Sequence, residues 1–270
     1  MENISLVLSG GGARGAYQIG AWSALREIGL DKRIKVITGS SIGAINGALM
    51  AQDSYELALE LWDAIHPASF FDRCREKNLQ PDTFAARVYF ELWKDRFKHG
   101  GIRFDPGKDL IRAHVEESVI RKSSVQFGLT TYNQDLRQGV ALFADQIPDG
   151  QLAEYIIASA SFPLFQPHLI GGHRHIDGGV YDNFPVALAL KRAPKDPVLV
   201  ISISMIGSYA ATFLKQRFPD VPLHVLFPSR KLGSPLHFSK NIVHKNIQIG
   251  YEDTLRLFET KALKSLLWGS

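Results

Sequence analysis

Two successive cycles of strand, glycine turn and helix between Ile4 and Ala51 constrain the fold of this chain more than any other feature. Ile4 to Ser9 is mostly apolar and β-compatible. The run Gly10-Gly11-Gly12-Ala13-Arg14-Gly15 follows, and Ala16 to Ile28 sets Ile19, Trp22, Leu25 and Ile28 at helical spacing. The second cycle passes from Lys35-Val36-Ile37-Thr38 through the sharp turn Gly39-Ser40-Ser41-Ile42-Gly43 into a small-residue helix, Ala44 to Ala51. Asp53 with Glu56 reads as a capping box for a third helix, which carries Leu57, Leu61 and Ile65 on one face and stops at Pro67. Such alternation predicts a parallel α/β sheet, because parallel neighbours need a long crossover and a helix is the usual one.

Further on, Ala68 to Phe104 crowds Phe70, Phe71, Phe84, Tyr89, Phe90, Trp93 and Phe97 among charges, which reads as helical excursions over the sheet. Val125 to Tyr132 and Arg137 to Phe143, joined by a short polar link, predict an antiparallel hairpin, so the sheet is mixed. A helix over Leu152 to Ser159, a strand ending at Ile176-Asp177-Gly178-Gly179 and a helix from Pro185 to Lys191 come next. Strands at Val198 to Ser204 and Leu223 to Phe227 and a helix over Ile242 to Leu267 complete the reading. No repeat or linker divides the chain, so residues 1–270 are taken as one domain, its motifs within about 4–205.

Composition removes several classes. The one cysteine, Cys74, cannot form an internal disulfide, and the N-terminus lacks a signal-peptide pattern, so a cytoplasmic setting is expected. The uncharged stretch Val198 to Leu214 is interrupted by serines and glycine and is too short to span a bilayer; it reads as a buried strand and the turn after it. A formal charge of +4 and a pI near 9.1 are too modest to argue for nucleic acid. No metal-ligand spacing is present among the nine histidines.

Gly39-x-Ser41-x-Gly43 between strand and helix is a nucleophile-elbow pattern, and it sets Ser41 at a helix N-terminus where free amides favour developing negative charge. Gly10 to Gly15 also matches G-x-G-x-x-G, yet the acidic residue that a dinucleotide site needs after the second strand is missing. Three consecutive glycines serve equally well to aim backbone N–H groups at one oxygen, as an oxyanion hole does. A serine nucleophile needs a base. Asp177, at a strand end before Gly178-Gly179, is one candidate; His175, His173 and His168 leave a conventional triad open.

Taken in order, Gly10 to Gly15, Gly39 to Gly43 and Asp177-Gly178-Gly179 resemble the patatin-like phospholipase family. So do Ala158-Ser159-Ala160-Ser161-Phe162-Pro163 and Val180-Tyr181-Asp182-Asn183-Phe184-Pro185. The resemblance implies a three-layer α/β/α fold around a mostly parallel mixed sheet, and a Ser-Asp dyad that needs no metal or cofactor. Ser41 is then the nucleophile and Asp177 the base. The loop Gly10, Gly11, Gly12, Ala13, Arg14, Gly15 is the oxyanion hole, with the Gly11, Gly12 and Ala13 amides as its donors. It further implies a phospholipid or lysophospholipid substrate and peripheral contact with a membrane surface, for which the aromatics from Phe70 to Phe97 offer a groove wall, a lid or a lipid-facing side; ordinary core is their competing role. A catalytically silent lipid-binding protein of the same fold is the alternative function. Whether a protein activator is needed stays open.

Overall fold

A computed structural model describes residues 3–80, 85–204 and 207–259. The expectations placed on Phe84 and on the helix beyond Glu259 lie outside the described residues. The strands are β1 (Ile4–Leu8), β2 (Ile34–Ser40), β3 (Gln126–Asn133), β4 (Gln138–Phe143), β5 (His168–Ile170), β6 (His173–Asp177), β7 (Val198–Ile201) and β8 (Leu223–Leu226). The first helices are α1 (Ala16–Glu27), α2 (Ile42–Ala51), α3 (Tyr55–Ala64), α4 (Pro67–Phe70), α5 (Asp72–Glu76) and α6 (Ala85–His99). They are followed by α7 (Asp105–His114), α8 (Glu117–Lys122), α9 (Leu152–Ser159), α10 (Val186–Leu190), α11 (Gly207–Arg217) and α12 (Lys240–Glu259).

All described strands join one sheet. β3, β2, β1, β7 and β8 run parallel in that spatial order, and β4 closes the β3 edge antiparallel. Alternate residues of these strands feed two cores. Leu6, Leu8, Ile37 and Leu199 pack on one face with α1, α2, α3, α9 and α12, and Val7, Val36, Val198 and Val200 pack on the other against α10 and α11. The protein is therefore a three-layer α/β/α sandwich, as period-two strands buried on both faces require. α1 and α12 approach until a Cβ at Gly20 or Gly250 would run into the backbone of the opposite helix. None of the helices among the described residues is long and apolar enough to cross a membrane.

The register of β3 decides where the chemistry sits. β4 covers Gly128 to Asn133 on one side, so β2 and β6 must share the other. β2 pairs up to Ser40 opposite Thr130, then turns away; β6 enters antiparallel and ends with Asp177 opposite Thr131. Neighbouring residues of one strand thereby bring the ends of two distant segments together, with β5 pairing outward from β6.

Several expectations need correction. Asp53 does not cap α3: it takes a left-handed backbone conformation (φ 54°) and accepts a 2.9 Å hydrogen bond from Arg26, while Ser54 occupies the cap position. The stretch after β7 is no simple turn, since α11 begins at Gly207. β2 runs through Gly39 and Ser40, and α7, α8 and β5 were not foreseen. Free Cys74 is buried among charged neighbours; burial first, then Glu91 and Asp95, push its thiol up to about 12.

Candidate active site

β2 passes into α2 at a single strained residue. Ser41 has φ 56° and ψ −129°, a conformation that costs an L-residue of order 1–3 kcal/mol. The surroundings enforce it. A Cβ at Gly39 would collide with the Gly43 carbonyl, and one at Gly43 with the carbonyls of Leu8 and Ser9, so only glycine lets the turn close this tightly over β1. The Ser41 N–H donates to Ser159 Oγ at 2.9 Å, which holds the elbow from α9.

Asp177 meets Ser41 directly: the Ser41 hydroxyl donates to Asp177 Oδ2 at 2.5 Å. The other carboxylate oxygen, Oδ1, accepts the Gly179 N–H at 2.7 Å, and the Asp177 N–H donates to the Ser161 carbonyl at 2.8 Å. The close packing of Gly178 on the Thr130 carbonyl lets the chain fold back this sharply. One short segment at the end of α9 thus fastens both partners, Ser159 the serine and Ser161 the aspartate. Asp177 is only 5% exposed, and burial raises its proton affinity to about 6 against the two hydrogen bonds, which lower it.

The histidines stand apart from this pair. His168 Nε2 lies 2.8 Å from Glu154, and its proton affinity is lowered, chiefly by burial. His175 packs edge-on against Tyr155, its Nδ1 is buried without a partner, and burial lowers its proton affinity as well. His173, at the start of β6, is exposed. Among the described residues, neither Ser41 nor Asp177 has a histidine as a hydrogen-bond partner.

The glycine loop lies against the elbow, so close that a Cβ at Gly10 would sit 2.8 Å from Ser41 Cβ. Its amides are unequally engaged. Gly10 N–H donates to Asn183 Oδ1 at 2.9 Å and Ala13 N–H to the Pro235 carbonyl at 2.7 Å. Gly11 and Gly12 make no such donation among the described residues. Of the three donors expected from sequence, Ala13 is therefore occupied in this arrangement. Gly12 has φ 59° and faces the Pro235 carbonyl with no room for a side chain. Arg14 Nε donates to the Gly233 carbonyl at 2.8 Å and so ties the loop to the segment before α12, and burial lowers its proton affinity. Gly15 opens α1, and its carbonyl accepts from Asn46.

These groups form the polar end of a cavity of about 350 Å³, whose remaining wall is apolar: Ile42, Ile45, Phe70, Phe71, Phe165 and Phe238. The excursion over residues 68–104 divides between two roles. Phe70, Phe71 and Phe104 are buried in a ring cluster with Phe165 and Phe238, whereas Phe90, Trp93 and Phe97 are exposed on α6. Sequence reasoning assigned no role to Ser159, Ser161, Asn183 or Pro235. The first three lie in stretches that carried the resemblance, but their partners are 16 or more positions away in every case, beyond the reach of local patterns. Among the described residues no group of three or more His, Cys, Asp or Glu side chains is arranged to hold a metal.

A strained serine at a strand-to-helix elbow, bonded to a buried carboxylate beside a glycine loop, defines a serine-carboxylate site on an α/β/α sandwich. The sequence profile of the patatin-like phospholipases matches residues 6–190, and the chain belongs to that family. It is 28% identical over 231 residues to patatin-like phospholipase domain-containing protein 7 of Rattus norvegicus, an alignment covering 78% of this chain and 14% of the rat protein. Over 53 residues it is 54% identical to the lysophospholipase nte1 of Aspergillus terreus, covering 20% of this chain and 3% of that one. The chain thus spans a small part of the length of these relatives. VipD from Legionella pneumophila shares the fold, with a TM-score of 0.54 at 17% identity, covering 96% of this chain and 67% of VipD.

Proposed function

We propose that this protein is a lipid acyl hydrolase of the phospholipase A or lysophospholipase type. The observation that carries the reading is the 2.5 Å bond between Ser41 and Asp177 at the polar end of an otherwise apolar cavity. Family membership and the lysophospholipase name of the Aspergillus relative support the substrate class. In this reading Ser41 Oγ attacks the ester carbonyl carbon as Asp177 takes its proton. The tetrahedral intermediate then collapses, and the alcohol leaves with that proton. Water attacks the acyl-serine, passing a proton to Asp177, and the fatty acid departs as Ser41 recovers it. The oxyanion of both intermediates is received by the Gly11 and Gly12 amides and the N-terminal end of α2.

A carboxylate is a weak base in water. Burial brings Asp177 to about 6, nearer the operating range, and makes it a better proton acceptor. It must be ionised to accept the proton, so turnover is expected to rise with pH through about 6 and level off above it. Exposed Phe162 and Val180 beside the cavity, and the Phe90, Trp93 and Phe97 stripe of α6, give the chain apolar surface for peripheral contact with a lipid interface.

Fatty-acid release from mixed phospholipid and lysophospholipid micelles by wild type, Ser41→Ala, Asp177→Asn and His175→Ala tests the reading. Ser41→Ala should lose about 10⁴-fold or more and Asp177→Asn about 10³-fold, with His175→Ala close to wild type. Loss in the His175 variant would restore the triad. A folded wild type that binds lipid and hydrolyses no ester would establish the silent lipid-binding alternative.

A further inference from the structure

Beyond the site lies a second cavity of about 120 Å³, lined by α2, α3 and α7 and almost wholly apolar, with Leu49, Leu61, Trp62, Leu110 and Ile111 in its wall. It shares Ile42, Ile45 and Phe70 with the cavity that holds Ser41. Ile42, Ile45 and Leu49 fall on one face of α2, at i, i+3 and i+7, starting at the residue after the nucleophile. They draw an apolar track of roughly 10 Å from the elbow along the helix.

Where the two cavities meet, Ile42, Ile45 and Phe70 form their common wall. The Phe70 ring stacks on Phe104 (centroids 5.8 Å apart) and Phe238 (5.4 Å), and Gly107 of α7 leaves room for it; a Cβ there would lie 2.8 Å from the ring. A narrow apolar cavity joined to a polar reaction centre suits an extended hydrocarbon chain better than water, which needs polar partners.

We infer that the two cavities form a single acyl channel bent around Phe70, which seats a long-chain acyl ester with its carbonyl at Ser41 and its methyl end between α3 and α7. The inference rests on the acyl-ester reading above and narrows it to long-chain substrates.

Leu110→Trp and Leu61→Trp test it, filling the distal cavity from α7 and from α3 at half-buried positions that tolerate a larger ring. Two readouts are compared with wild type: hydrolysis of palmitoyl against hexanoyl lysophosphatidylcholine, and calorimetric Kd for palmitate against hexanoate without turnover. Each methylene barred from apolar burial costs about fourfold in affinity, so in both variants the palmitoyl-to-hexanoyl preference is expected to fall by about tenfold or more. Equal losses for the two lengths, or an unchanged preference, overturn the channel. If wild type hydrolyses neither ester, the hydrolase reading fails by itself. The fatty-acid affinities then decide the channel: selective loss of palmitate supports it and an unshifted ratio refutes it.

Discussion

Ser41 and Phe70 line one cavity, and they are held there by different means. The polar end is held through backbone: glycines packed against carbonyls, an elbow forced into positive φ, and N–H groups of Ser41, Asp177 and Gly10 that donate to Ser159, Ser161 and Asn183. The apolar wall is made of side chains: Phe70, Phe71, Phe165 and Phe238, backed by Phe104, meet ring to ring, contributed by segments far apart in the chain. Backbone geometry tolerates almost no substitution, because a single Cβ in the wrong place displaces a carbonyl. A ring cluster accepts another apolar residue of similar volume at modest cost. The rigid end suits a reaction whose atoms must be placed to fractions of an ångström, and the adaptable end suits a hydrocarbon that has no directional bonds.

The largest expected effect falls on the rigid end. Gly43→Ala drives a methyl group into the Leu8 and Ser9 carbonyls, and about 4 kcal/mol or more of stability should be lost in chemical denaturation. A loss below about 1 kcal/mol would mean that the elbow can relax, and the contrast between the two ends would collapse.

Asp177→Asn comes next, with the opposite sign. The folded chain holds the Asp177 proton near 6, against an ordinary value of 3.8, so it binds that proton more tightly than the unfolded chain does. This contribution to stability is present in full below about pH 4 and is lost as pH rises through about 6. Asparagine removes the cost of the buried charge. The variant should gain up to about 3 kcal/mol over wild type at pH 8 and little at pH 4, read from denaturation midpoints at the two pH values. An equal difference at both would remove the buried-base argument.

Ser159→Ala sharpens the comparison from outside the reacting pair. Losing the acceptor of the Ser41 N–H leaves the nucleophile and its base chemically intact, so the expected cost is about 1–2 kcal/mol of activation free energy, or roughly tenfold in kcat. As a positioning effect it should lower kcat with the pH midpoint unmoved, and Ser159→Thr should restore part of it.

The smallest effect is expected at the outer rim. Phe97, 81% exposed on α6, should be replaceable by Ser with a stability change within about 0.5 kcal/mol. Binding to phospholipid vesicles should fall, and hydrolysis of a soluble short-chain ester should not. A stability loss comparable with that of a buried phenylalanine would assign α6 to the core instead.

Much of the framework was legible in the sequence because it is local. β1 into α1, the elbow into α2, the β3–β4 hairpin and α9 each carry their period, turn residues and stops within a dozen or so positions, and the structure has them close to where the patterns put them. Asp53 was misread because a capping box competes with a left-handed turn at the same residue, and the Arg26 side chain that favours the turn comes from another helix. α7 is amphipathic but carries only two large apolar residues, Leu110 and Ile111, among its charges, and α8 and β5, at six and three residues, are too short to announce themselves.

The sequence by itself determined the α/β alternation, the strained elbow at Ser41 and the glycine loop, since each depends on residues adjacent in the chain and on the sterics of glycine. The family resemblance named Asp177 as the partner of the serine, and the tertiary structure alone decided how the two meet. Asp177 reaches Ser41 because β6 takes up pairing on β3 at Thr131, where β2 stops at Thr130, and a register set by backbone hydrogen bonds between strands leaves no mark at either residue. The same holds for the Ala13 amide occupied by Pro235 and for the ring cluster behind the cavity wall: contacts between distant segments are fixed by packing, which a linear pattern does not record.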